Sequence, residues 1–111
     1  MAIVKSKPEE KVINGQVVTV SDKVVISTPS YQTQGESLII VKDIEQSEVI
    51  LDSLTTEHII VKTLTKCLIK TTQGHIDEEY EEILIDKGAC VEFYFALGNW
   101  YIVSSDGLKM S

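Results

Sequence analysis

The fold is decided by residues 37–71, which read SLIIVKDIEQSEVILDSLTTEHIIVKTLTKCLIKT. Short apolar runs alternate here with polar pairs, and most of the apolar residues are β-branched. The bias extends through the chain, where 12 Val, 14 Ile and 9 Thr make 35 of 111 residues β-branched, against 3 Ala. Such side chains crowd the turns of a helix but pack well on a pleated sheet. The composition therefore predicts an all-β protein.

Working outward from this stretch, the pattern predicts nine short strands. They cover residues 12–20, 22–28, 37–44, 47–52, 57–63, 66–71, 83–86, 90–96 and 99–105. Short strands at this regular spacing favour a sandwich, a barrel or a β-helix over alternating βαβ units. In residues 75–85 an apolar stripe with helical spacing competes with a strand that follows an acidic turn. We favour the strand.

Several apolar runs are continuous rather than alternating, among them residues 38–41, 49–51, 59–61 and 93–95. A strand with one solvated face alternates, whereas a continuous apolar run implies cover on both faces. A β domain of 111 residues has little chain left to cover a second face. We therefore expect neighbouring copies of the same chain to provide this cover.

Length and charge limit the class of protein. A chain of 111 residues is expected to form one domain, here residues 12–111 after a polar, flexible arm at residues 1–11. The net charge is −7, and all 10 positive side chains are Lys. Because nucleic-acid readers normally carry a basic face with Arg forks, we expect neither a nucleic-acid partner nor an anionic membrane surface. No apolar run reaches the roughly 18 residues of a membrane span, and residues 1–15 lack the apolar segment of a signal peptide.

The C-terminal third contains a recognisable order of motifs. Residues 74–77 read GHID, residues 83–93 read ILIDKGACVEF, and residues 98–105 read GNWYIVSS. This order resembles the trimeric β-helix and β-prism segments of bacteriophage fibre, head-fibre and decoration proteins. Upstream, LIIVKDI at 38–44 and EVILD at 48–52 are similar to the companion strand pair of those segments.

The resemblance implies a homotrimer of short strands, built as a β-helix, a β-prism or a sandwich. It implies a virion protein, made in the host cytoplasm, whose role is mechanical and adhesive: a capsid decoration protein or a component of a head or tail fibre. Residues 1–15 would attach it to the capsid or to another virion protein. The implied trimer core comprises Ile76, Val91, Phe93, Trp100 and Ile102.

The last hairpin carries a more local prediction. Gly98-Asn99 is a plausible tight turn, since both residue types tolerate positive φ. In the strand that follows, Trp100 and Ile102 take one face and Tyr101 takes the other. We expect the indole of Trp100 to bury its ring and to place its N–H on a carbonyl.

No catalytic set is apparent, and we expect neither enzyme activity nor a cofactor. Glycoside chemistry needs two carboxylates fixed in a cleft, one of them with a raised pKa. A contiguous run instead predicts a solvated turn, with a weak cation site as the alternative. The run comprises Asp77, Glu78, Glu79, Glu81 and Glu82.

The remaining candidate ligands are two histidines and two cysteines. His58 and His75 are expected at the surface or in a satisfied core, and a metal on a trimer axis with one His from each chain is the alternative. Cys67 and Cys90 lack Cys-x-x-Cys or Cys/His spacing. We interpret them as reduced core thiols, with a disulfide as the alternative.

Six of the seven aromatic residues lie beyond residue 79. They either pack the core or form a surface for a ligand. In the second case Tyr94, Trp100 and Tyr101 are candidate contacts to a host-surface glycan. The alternative function is then a carbohydrate-binding host-adsorption module.

Overall fold

The computed structural model describes residues 15–106 and confirms the predicted all-β class. No helix is present in that range. Its strands are β1 (Val17–Val20), β2 (Lys23–Ile26), β3 (Ser30–Gln32), β4 (Leu38–Val41), β5 (Gln46–Leu51), β6 (His58–Thr63), β7 (Lys66–Thr71), β8 (Glu82–Ile85), β9 (Cys90–Ala96) and β10 (Asn99–Asp106). The predicted arm at residues 1–11, and all of residues 1–15 except Gly15, lie outside the described residues.

The strands form two sheets. One has the order β1-β2-β4-β6-β9-β10 and the other has the order β3-β5-β7-β8. Strands β2, β4 and β6 are parallel neighbours in the first sheet, and β3, β5 and β7 are parallel neighbours in the second. From β2 to β7 the chain therefore crosses to the other sheet after every strand. Both sheets are mixed, and neither closes into a barrel.

Antiparallel pairs occupy the ends of this arrangement. Strand β1 pairs with β2 at one end, while β8 pairs with β7, and β9 pairs with both β6 and β10, at the other. The turn between β9 and β10 differs from the prediction. Its two residues are Leu97 and Gly98, with φ of 52° and 81°, and Asn99 already belongs to β10. Positive φ at both central residues is the geometry that matches the twist of a two-residue hairpin.

The core lies between the two sheets and is built by alternation along the central strands. Because successive side chains point to opposite faces, every second residue of β4, β5, β6 and β7 enters the core. A slip of one residue would exchange the two faces, so this core also determines the strand register. Its fully enclosed members include Ile26, Ile39, Val41, Val49, Leu51, Ile59, Val61, Cys67, Ile69, Ile76, Val91, Phe93 and Trp100.

Polar side chains hold the connections at one edge of the sheets. Asp52 is only 7% exposed, and its carboxylate accepts hydrogen bonds from Gln32 Nε2 at 3.0 Å and from the backbone N–H of Leu54 at 3.1 Å. The Asp52 N–H donates to Thr33 Oγ1 at 2.8 Å. These donors, Gln32 first, hold the pKa of the Asp52 carboxyl below its usual value. The edge is thus closed by satisfied polar groups.

The structure contains one strand that the sequence did not predict, and it confirms the strand favoured in residues 75–85 and the free thiols. Strand β3 was missed, because Pro29 and the nearby Gly35 indicated a long connection there. Helix is wrong for residues 75–85: a bridge between Ile76 and Tyr80 closes a turn, and strand β8 follows as predicted. Both cysteines are free, which confirms the thiol interpretation.

Candidate functional site

The continuous apolar runs have two different environments in the structure. Along β4, Ile39 and Val41 are buried in the core, whereas Leu38 and Ile40 point out of the other face of the six-stranded sheet and are partly exposed. Ile60 on β6 does the same. Nothing among residues 15–106 covers this outer face fully.

Strand register collects the outward apolar side chains into one area. Val18 pairs with Val25, which pairs in turn with Ile40, and Leu38 pairs with Ile60. Val18 is 40% exposed and Val20 is 63% exposed, while the others are half-buried. We call this set the aliphatic patch. It comprises Val18, Val20, Val25, Leu38, Ile40 and Ile60.

Charge is sparse on this face. Lys23, Lys62, Glu92 and Asp106 are the charged residues at outward positions of β2, β6, β9 and β10. Two lysines against two carboxylates balance one another on these strands, whereas the whole chain carries −7. The strands of this face therefore carry less net charge than the chain as a whole.

Three rings follow one another across the far half of the same face. His58 on β6 pairs with Tyr94 on β9, and Tyr94 pairs with Tyr101 on β10. The rings of His58 and Tyr94 are stacked, with centroids 4.2 Å apart and an interplanar angle of 16°. Tyr94 is 44% exposed. We call these three residues the aromatic row.

Each end of the aromatic row is bonded to a carboxylate. His58 Nε2 lies 2.5 Å from Glu92 Oε2, and the hydroxyl of Tyr101 donates to Glu78 Oε2 at 3.3 Å. All of these side chains remain partly or largely exposed. The row is therefore a surface of two phenols and an imidazole flanked by hydrogen-bond acceptors.

The turn that carries Glu78 is tied firmly to β10. Asp77 and Glu78 both have positive φ, at 52° and 63°. The Asp77 N–H donates to the Trp100 carbonyl at 2.7 Å, and Asp77 Oδ1 accepts the Ile102 N–H at 2.9 Å. Such side-chain to backbone bonds are what allow Asp to occupy a tight turn. The acidic run thus contributes one carboxylate to the aromatic row.

The structure separates the three predicted glycan contacts. Tyr94 and Tyr101 lie side by side on the outer face, but Trp100 points to the other side and is fully buried against Phe95, with ring centroids 5.3 Å apart. The opposite faces of Trp100 and Tyr101 were predicted correctly. The hydrogen bond predicted for the indole was not: Trp100 Nε1 is buried without a partner among the described residues.

The five predicted trimer-core residues also have definite places. Ile76, Val91, Phe93 and Trp100 are fully buried within a single chain, and Ile102 packs against the same core. Their burial is therefore explained without a second copy. The aliphatic patch is a separate set of apolar side chains that remain partly exposed.

Sequence reasoning missed His58 and Glu92 as members of this surface. From the sequence, His58 is expected at the surface or in a satisfied core, with a metal on a trimer axis as the alternative, and Glu92 is assigned no role. The pairing that joins them is the antiparallel register of β6 with β9, which places Ile60 opposite Glu92 and His58 opposite Tyr94. Alternation along each strand could have shown that Glu92 and Tyr94 share a face, but not which strand lies beside them.

The other candidate chemistry is weaker. Within residues 15–106 no group of three or more His, Cys, Asp or Glu side chains is arranged to hold a metal ion. Burial raises the pKa of the Cys67 thiol to about 12, so this sulfur is protonated at neutral pH and is a poor nucleophile. His75 is exposed in the turn after Gly74, where its N–H donates to Asn99 Oδ1 at 2.9 Å.

Comparison with known proteins adds no relative: no family model and no curated protein matches the chain. In the described range, no helix has the length and hydropathy required to cross a membrane.

Proposed function

We propose that the chain is a non-enzymatic structural protein of a tailed-phage virion that assembles as a homotrimer. It would act as a capsid decoration protein or as a component of a head or tail fibre, made in the host cytoplasm and incorporated into the particle. The observation that supports assembly into a homotrimer is the aliphatic patch. The motif order in residues 74–105 supports the class of protein.

The energetics of the patch favour self-association. Its six apolar side chains are linked by cross-strand pairs or lie two residues apart on one strand, with Lys23 between Val20 and Leu38. Burial of apolar surface is worth about 25 cal/mol per Å². The balanced charges on the strands of this face keep the electrostatic cost of bringing acidic chains together low. A cyclic trimer would enclose the patch.

The topology is compatible with the β-helix or β-prism part of the proposal. Alternate strands are parallel and stack in two sheets, so the chain winds from β2 to β7 with one strand per sheet in each turn. The antiparallel strands β8, β9 and β10 close one end. Residues 1–15 are proposed to attach the trimer to the capsid or to another virion protein.

Light scattering coupled to size exclusion tests the assembly directly. We expect a mass near three chains of 12.4 kDa. A clean monomer at micromolar concentration would contradict the homotrimer. The virion role is tested separately by adding the purified protein to capsids that lack it, where we expect saturable binding at a fixed copy number per particle.

A second candidate function is carbohydrate binding during host adsorption. It is favoured by the aromatic row, in which Tyr94 and Tyr101 adjoin on an exposed sheet face. Binding to host-surface sugars without binding to capsids would support this function over decoration. The two surfaces adjoin at β6, which carries both Ile60 and His58. Tyr94 and Tyr101 lie farther from the aliphatic patch, on β9 and β10.

A further inference from the structure

We infer that the aromatic row binds a saccharide that carries no anionic group, and that Tyr94 provides the ring on which the sugar packs. This inference rests on the second proposed function and narrows its ligand class. It is carried by the stacking of His58 on Tyr94 and by the two carboxylates that flank the row.

The stacking leaves one face of Tyr94 available. His58 lies on β6 and covers the Tyr94 ring from that side at a nearly parallel angle. The opposite side of the ring looks toward β10, where Tyr101 is the paired residue. No ring contact joins Tyr94 to Tyr101 in the part of the chain that the structure describes. The apolar face of a pyranose can pack on this side of Tyr94 and extend over Tyr101.

His58 is a positioning residue in this arrangement. Its ring supports Tyr94, and its own orientation is held by the 2.5 Å contact of Nε2 with Glu92. Rigid aromatic side chains bind at low entropic cost, because few rotatable bonds are ordered on binding. A Tyr94 ring held from one side is therefore better prepared for a ligand than a freely rotating one.

The two carboxylates define the ligand class. Glu92 and Glu78 each engage a row residue through one oxygen, and no hydrogen bond joins the other oxygen to the described residues. Carboxylate oxygens accept hydrogen bonds from sugar hydroxyl groups and ammonium groups. They repel sulfate, phosphate and carboxylate groups, and the net charge of −7 adds to that repulsion.

The experiment compares neutral, amino-bearing and acidic glycans on an array, followed by calorimetric titration of the best neutral or amino-bearing glycan. We expect the whole protein to bind members of the first two groups and none of the acidic ones. Tyr94→Ala should weaken binding about tenfold or more, since truncation of an anchoring ring costs at least about 1.4 kcal/mol. Tyr80→Ala is the matched control, because Tyr80 is 40% exposed but lies outside the row, and it should leave affinity unchanged.

The role of His58 has a separate readout. His58→Phe retains a ring to stack on Tyr94 and should retain most of the affinity, whereas His58→Ala should lose several-fold. Unchanged circular dichroism and unchanged oligomeric mass in all variants show that folding is intact.

The possible results distinguish failure of this inference from failure of the proposed carbohydrate-binding function. Binding only to acidic glycans through Tyr94 would overturn the ligand class and leave the carbohydrate function standing. Binding that survives Tyr94→Ala would overturn the site. Absence of binding to every glycan would remove both the inference and the second proposed function, and would leave the homotrimer unaffected.

Discussion

The imidazole of His58 is stacked on the phenol ring of Tyr94, with ring centroids 4.2 Å apart and planes inclined by 16°. The two residues belong to β6 and β9, which are brought together as antiparallel neighbours in the six-stranded sheet. The contact occurs on the outer face, opposite the buried pair of Ile59 and Phe93. The pairing of β6 with β9 thus places Ile59 beside Phe93 in the core on one side of the sheet, and His58 beside Tyr94 in the aromatic row on the other side.

The aliphatic patch predicts a selective effect of charge on assembly. Ile60→Lys should dissociate the proposed trimer, because the substitution would bring a charged group into the apolar contact, and removing a charge from water is costly. The new side chain adjoins Glu92 across the strands, so the monomer should remain folded. Light scattering and circular dichroism measure the two effects.

Leu84→Lys is the control for that substitution. Leu84 is 57% exposed on the outward side of β8, in the other sheet. Its substitution should leave the mass unchanged. Loss of the trimer with Leu84→Lys but not with Ile60→Lys would place the interface on the four-stranded sheet instead.

Two substitutions of Trp100, by Ala and by Phe, should lower the free energy of unfolding by different amounts. Trp100→Ala should lower the free energy of unfolding by about 3–5 kcal/mol, because the buried indole leaves a large cavity. Trp100→Phe should cost much less, since it keeps a ring and removes the N–H that has no partner among the described residues. Urea unfolding provides both values, and equal costs would contradict the account of the indole.

Gly74 predicts that one turn is far less tolerant of a side chain than another. Its φ is +78°, and a Cβ at this position would overlap the carbonyl oxygen of Gly98. Gly74→Ala should therefore displace the contact between the turn and β10 and destabilise the chain strongly. Gly88 has a φ of +93° with no atom near a Cβ, so Gly88→Ala should cost only about 1–2 kcal/mol of backbone strain. Thermal or urea unfolding of the two variants should rank them in this order.

Because the Cys67 thiol is buried, we expect the free energy of unfolding to fall at alkaline pH. Burial raises the pKa of its thiol from 9.0 to about 12 in the folded state. Between these values the unfolded thiol ionises while the folded one stays protonated, so the free energy of unfolding falls as the pH rises above about 9. Cys67→Val should reduce this decline in urea unfolding measured from pH 7 to pH 10. An identical decline in both proteins would show that other groups are responsible.

Much of the strand pattern was predictable, and the reasons are local. Runs such as 58–63 and 66–71 combine β-branched residues with polar boundaries, and their predicted limits agree closely with β6 and β7. Strand β3 was missed because it has three residues, only one of them apolar, and follows Pro29. A strand this short has too little pattern to distinguish it from a connection.

The candidate site was predictable only in part. Tyr94 and Tyr101 were selected by residue type, and alternation placed Trp100 on the other side of its strand. His58, Glu92 and the aliphatic patch depend on which strands are neighbours. That choice rests on contacts between distant parts of the chain, which a single sequence does not display.

By itself the sequence determined that this protein is all-β, where most of its strands run, and that several of those strands are apolar on both sides. These properties follow from side-chain shape and from alternation within one strand. Only the tertiary structure decided which apolar residues face the core and which remain outside. Inward residues of the two sheets bury one another, whereas the outward residues of β2, β4 and β6 have neighbours only along the sheet. The physical reason is that the burial of a side chain depends on how all the strands are arranged, which the sequence of one strand does not specify.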